Sequence, residues 1–150
     1  MNGEFIFFAK EEVEIDRIRK KDKDNSYLSV YGSIPCGRKN MIDDDLRGYL
    51  KIPMKYLGDG EFYVLRAKGD SMIEAGIDDG DLVIIKKQEY AEDGKVAVVL
   101  IEDEITLKRI HLREEDNKVE LLPANKNYKP VILSDYLILG IAQRIIKDIN

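Results

Sequence analysis

A chain of 150 residues suits one domain that buries about 70% of its unfolded surface, so a core can form without disulfides or metals. Hydrophobic residues make up 44% and charged residues 35%, an ordinary globular balance, and the net charge of −5 argues against an extended nucleic-acid surface on this chain. The single cysteine, Cys36, excludes an internal disulfide, and no apolar run approaches the ~20 residues of a membrane-spanning helix, so the expectation is a cytoplasmic protein with no membrane partner.

Residues 1–27 read as an N-terminal arm or linker. "FIFF" (5–8) is too short for a signal-peptide core, and "EEVEID" follows closely. "AKEEVEIDRIRKKDKDN" is charge-dense, with Val13, Ile15 and Ile18 as sparse apolar positions; it fits a marginal strand or helix running into a solvated linker. It holds too little periodic apolar sequence for a helix-turn-helix. From Leu28 to Gly60 the chain is punctuated by Gly32, Pro35, Gly37 and Gly48. It reads as extended segments joined by turns, outside the hydrophobic core.

Beyond Gly60 the pattern is strongly β. "FYVLRAK" (62–68), "DLVIIKK" (81–87), "KVAVVLI" (95–101), "EITLKRI" (104–110), "KVELLPA" (118–124) and "YLILGIAQRII" (136–146) are rich in Val, Ile, Leu and Tyr. Turn signals such as "DDGD", "EDGK" and "REEDN" separate them, and "KVAVVLIEDEITLKRI" reads as a hairpin. A short helical turn is expected only at "DSMIEAGI" (70–77). The fold class is therefore mostly β: a compact, mostly antiparallel domain.

Two residues are candidates for chemistry. Ser71 follows Gly69 and Asp70 at the end of a strand. Either Ser71 or Asp70 caps the next helical turn, or Ser71 is a nucleophile on a sharp turn that Gly69 permits. A serine nucleophile needs a base within hydrogen-bond reach. The only histidine, His111, lies beside a charged turn and reads as solvent-facing. The other established base is a neutral lysine, which must be buried to fall from its usual pKa near 10.4. In "EITLKRI" strand alternation puts Thr106, Lys108 and Ile110 on one face. Periodicity does not say whether that face is inward, so Lys108 is either an edge lysine in solvent or a buried amine. The acidic "IDDGD" (77–81) reads as a solvated turn, and no metal or other cofactor is expected.

"GDSMIEAGIDDGDLVIIKK", then "DEITLKRI", then "VELLPANKNYKPV", in that order and with Ser71 and Lys108 37 residues apart, resembles the self-cleaving serine–lysine peptidase domain of the LexA repressor family, which includes phage repressors and UmuD. The likeness covers roughly residues 28–147. It implies a compact, strongly bent β domain over 28–150, with a cleavage-site segment at 30–40. It implies Ser71 as nucleophile and Lys108 as general base, with the Ser71 backbone N–H, Met72 and Gly69 positioning the oxyanion. "YGSIPCG" supplies the cleavage site, Cys36-Gly37: a small side chain and a bare glycine let the backbone approach the serine. The alternative for Cys36 is a small buried thiol. "RKN" follows the glycine where relatives often carry acidic or proline residues.

The resemblance further implies a homodimer, stimulation by a RecA–single-stranded DNA filament, and DNA contact only through a DNA-binding domain that residues 1–27 do not form. The chain then fits a piece of an SOS-type or phage-type repressor. The alternatives are a UmuD-like accessory subunit of an error-prone translesion polymerase, or a non-cleaving dimerisation module of the same fold.

Overall fold

The computed structural model describes residues 6–7, 12–32 and 46–148. Its frame is one sheet made of ten strands: β1 (Ile6–Phe7), β2 (Asn25–Tyr31), β3 (Leu46–Pro53), β4 (Phe62–Arg66), β5 (Leu82–Lys86), β6 (Val96–Ile101), β7 (Glu104–Leu112), β8 (Val119–Leu122), β9 (Val131–Leu133) and β10 (Leu137–Ile146). Their order across the sheet is β1-β3-β2-β4-β5-β10-β6-β7-β8-β9. The six strands expected beyond Gly60 are all present. β9 escapes the sequence pattern because it is three residues long and leaves Val131 and Ile132 exposed.

The sheet is mixed. Every neighbouring pair is antiparallel except β2 and β4, which run parallel with Val30 opposite Val64. β3 folds back along one edge of β2, and the chain then crosses to lay β4 on the other edge.

β10 is the seam of the molecule. It pairs with β5 on one side and β6 on the other, joining the two halves of the sheet. Its register shifts at Ala142/Arg144 and at Ile138/Gly140, and such bulges bend a strand. Gly140 sits where strands approach most closely. A Cβ there would lie 2.4 Å from Ile85 Cγ2 and 2.7 Å from the Lys86 carbonyl oxygen.

Three apolar clusters follow the sheet. Leu28, Val30, Leu50, Ile52, Val64, Leu82 and Ile84 form the first. Residues 28–60 therefore do contribute to the core, contrary to the sequence expectation. Glycine and proline punctuation disguises short alternating stretches whose burial comes only from pairing β2 with β3. A second cluster gathers Leu65, Met72, Ile77, Val83, Ile85 and Val98 beneath the 70–77 turn, and a third packs Ile110, Val119 and Leu121 against Ile138.

The region expected to be a solvated arm also makes tertiary contacts. α1 (Glu12–Lys21) places Ile15 and Ile18 three residues apart on one face. Ile15, 1% exposed, packs with Tyr27 and Tyr49. Arg19 lies 5.6 Å from the centre of the Tyr49 ring and donates to the Tyr27 carbonyl at 2.6 Å. Arg19, Lys20 and Lys21 fall in the last turn, where cations suit the helix dipole. The charge density of this segment hid a two-residue apolar anchor.

Candidate active site

β4 ends at Arg66, and the chain turns through 67–72 before the short 3-10 turn Ile73–Ala75. Gly69 makes this possible with φ of 86°, a left-handed conformation that favours glycine. The turn is held from the 78–81 loop. The Gly69 N–H donates to Asp79 Oδ1 at 2.8 Å, the Ala67 N–H to the Asp81 carbonyl at 2.7 Å, and the Gly80 N–H to the Ala67 carbonyl at 2.8 Å. Asp81, 9% exposed, accepts from the Asp78 N–H and from Lys147 Nζ. The carboxylates of "IDDGD" are thus engaged in supporting the turn and in ion pairs with Lys147. Among the described residues no group of His, Cys, Asp and Glu is arranged to hold a metal ion.

The 3-10 turn has Met72 at its N-cap and no side-chain capping bond. Ser71 and Asp70 are used elsewhere. Lys108 Nζ lies 2.8 Å from Ser71 Oγ, 2.7 Å from Thr106 Oγ1 and 3.2 Å from the Leu107 carbonyl oxygen. Asp70 accepts from the Tyr128 hydroxyl at 2.5 Å.

Lys108 reaches this position from β7. Its Cα stands opposite Ala97 of β6, and β8 pairs only with Arg109–Leu112, so residues 104–108 border the site. Ile105 and Leu107 pack on the second apolar cluster, and Lys108 is half-buried. Burial pushes its amine below the ordinary lysine value of 10.5. The amine donates to all three oxygens, and losing its proton would turn a lone pair toward the serine hydroxyl. Thr106, placed by strand alternation on the same face two residues before Lys108, is not among the site residues expected from the sequence, although that position was a usable signal.

Ser71 and Lys108 open onto a cavity of about 230 Å³, lined also by Gly32, Leu65, Met72, Ile77 and Leu107. Met72 and Ile77 are buried and anchor the turn from below. His111 lies exposed on β7, with Nδ1 3.2 Å from Asp93 Oδ1, and takes no part in the site. Cys36 and Gly37 fall outside the described residues.

A family model described as Peptidase S24-like matches residues 29–143, a span that contains β4, the serine turn, β7 and most of β10. The chain belongs to the Peptidase S24-like family. Within this family its relatives include a LexA repressor of Clostridium kluyveri, 39% identical over 123 residues that make up 81% of this chain and 60% of the relative. A LexA repressor of Clostridium perfringens is 36% identical over 129 residues, 85% of this chain and 63% of the relative. A LexA repressor of Streptomyces coelicolor is 39% identical over 115 residues, 77% of this chain and 48% of the relative. The chain therefore spans about 60% or less of the length of two of these relatives and little more of the third. Among the described residues no helix is long and apolar enough to cross a membrane.

Proposed function

We propose that this chain is the self-cleaving serine–lysine peptidase domain of a LexA-like transcriptional repressor, cutting its own Cys36-Gly37 bond. The observation that carries this reading is the 2.8 Å approach of a half-buried lysine amine to the hydroxyl of Ser71. Gly32 supports it further. This residue is buried, lines the same cavity as Ser71, and precedes Cys36 by four residues. Four extended residues span at most about 14 Å, a tether short enough to suit attack within one chain.

In this mechanism neutral Lys108 takes the Ser71 proton as Oγ bonds to the Cys36 carbonyl carbon. Backbone N–H groups of Ser71 and Met72 stabilise the oxyanion, the Gly69 N–H being taken by Asp79. The Cys36–Gly37 C–N bond then breaks, and the lysine ammonium returns the proton to the departing Gly37 amine. Water, deprotonated by the same lysine, releases the acyl group from Ser71. Tethering makes the first attack unimolecular, a large gain in effective concentration. A homodimer, a RecA–single-stranded DNA filament that stimulates the cut, and DNA bound through a further domain belong to the same reading.

The test is incubation of the purified chain across neutral to alkaline pH, followed by intact-mass measurement. Cleavage after Cys36 is expected, its rate rising with pH and levelling off at a midpoint below 10.5. Ser71→Ala and Lys108→Ala should each lower the rate by about a thousandfold or more. An uncut wild-type chain, or a break that persists in either variant, would sink the proposal. Addition of filament at neutral pH tests the stimulation.

A further inference from the structure

The loop after β8, "PANKNY" (123–128), has no role in the chemistry so far, yet it holds two successive carbonyls of the serine turn, those of Asp70 and Ser71. The Ala124 N–H donates to the Ser71 carbonyl at 2.7 Å, and the Ala124 carbonyl accepts from the Glu74 N–H at 2.7 Å. Asn125 Nδ2 donates to the Asp70 carbonyl at 2.8 Å, the shorter of that carbonyl's two bonds, the other coming from the Ile73 N–H at 3.3 Å. Asn125 is 4% exposed, and its Oδ1 accepts from the Asn127 N–H at 2.9 Å. Both ends of this buried amide are thus engaged, and the partners fix which end is which: a carbonyl only accepts, and an N–H only donates.

The consequence follows from peptide geometry. The carbonyl of one residue and the N–H of the next lie in a single trans plane and point opposite ways. A donor that holds the Asp70 carbonyl therefore sets the direction of the Ser71 N–H. A donor that holds the Ser71 carbonyl sets that of the Met72 N–H in the same manner. Two adjacent donors from one loop, Ala124 N–H and Asn125 Nδ2, fix two successive peptide planes beside the nucleophile.

We propose that Asn125 is a positioning residue that aims the backbone N–H groups of Ser71 and Met72 at the oxyanion formed during cleavage. This inference rests on the serine–lysine reading above. Preorganised donors act because they need no reorientation as charge develops, so a peptide plane left free to rock loses part of their effect.

The decisive variant is Asn125→Ala, which removes the donation to Asp70 without adding a charge, read after circular dichroism verifies the β signature. The expected result is a fall of about 10- to 100-fold in the plateau rate of self-cleavage at alkaline pH, with the midpoint of the pH profile unchanged, because Lys108 and its burial are untouched. A merely structural role would instead loosen the contact between Ser71 and Lys108 and move the midpoint toward 10.5. Asn125→Asp, whose carboxylate still accepts from the Asn127 N–H but cannot donate to Asp70, is the second variant, read on its plateau rate alone because an added negative charge near Lys108 raises the midpoint by itself. A wild-type plateau in the folded alanine variant, or a shifted midpoint in it, overturns the positioning role while leaving the peptidase reading intact. A wild-type chain that never cuts overturns both.

Discussion

At the scale of single residues, the proposed chemistry turns on one amine. Lys108 has three oxygen neighbours, a serine hydroxyl, a threonine hydroxyl and a carbonyl, and burial lowers its pKa. The same depression is a statement about stability. In the window between the lowered folded value and the unfolded value near 10.5, the unfolded chain binds more protons than the folded one, so folding stability rises with pH. Below that window the fold carries the full cost of holding a charged amine away from water. Replacing the amine by an apolar chain of similar length removes this dependence. Urea unfolding of Lys108→Met should accordingly show its greatest advantage over wild type near neutral pH, shrinking as the pH approaches 10.5. An advantage that stays constant with pH would mean that the lysine is already solvated.

At the scale of elements, β10 and α1 carry the clearest consequences. β10 passes so close to β5 that position 140 has no room for a methyl group, and the Tyr63 hydroxyl, buried beside it, donates to the Leu139 carbonyl at 2.9 Å. Gly140→Ala must push the added Cβ against backbone, which does not yield as a flexible side chain does. The expected loss is about 2–3 kcal/mol of unfolding free energy, read from denaturant midpoints. α1 rests on one deeply buried contact. Truncating Ile15 to alanine leaves a gap against Tyr27 and Tyr49 and should cost about 2 kcal/mol. No measurable change would restore the solvated-arm reading of this segment.

At the scale of the whole molecule, the site is assembled from both halves of the sheet. Ser71 follows β4 in one half, and Lys108 lies on β7 in the other. They meet because β10, the last strand, inserts between β5 and β6. The residue after β2, Gly32, lines the same cavity, so the proposed nucleophile, base and approach to the cleavage segment lie on a single chain. Cleavage within one molecule predicts a first-order rate constant that stays the same across a tenfold dilution, measured by gel densitometry or intact mass. A constant that falls in proportion to concentration would place the cut between molecules.

The sequence by itself determined the β class, the six strands beyond Gly60 and the hairpin of β6 and β7. Their β-branched runs and turn residues are local signals, readable wherever the chain finally goes. The residues alone left Ser71 as cap or nucleophile and Lys108 as edge or buried lysine; their pairing came from the resemblance, because motif order survives in one dimension. Only the tertiary structure decided which face of β7 borders the cavity, since a period of two names two faces without choosing between them. It alone decided that β2 and β3 are core, that Ile15 anchors α1, and that Asn125 holds the serine turn. Each of these depends on burial against residues distant in the chain, and burial of that kind leaves no local pattern to read.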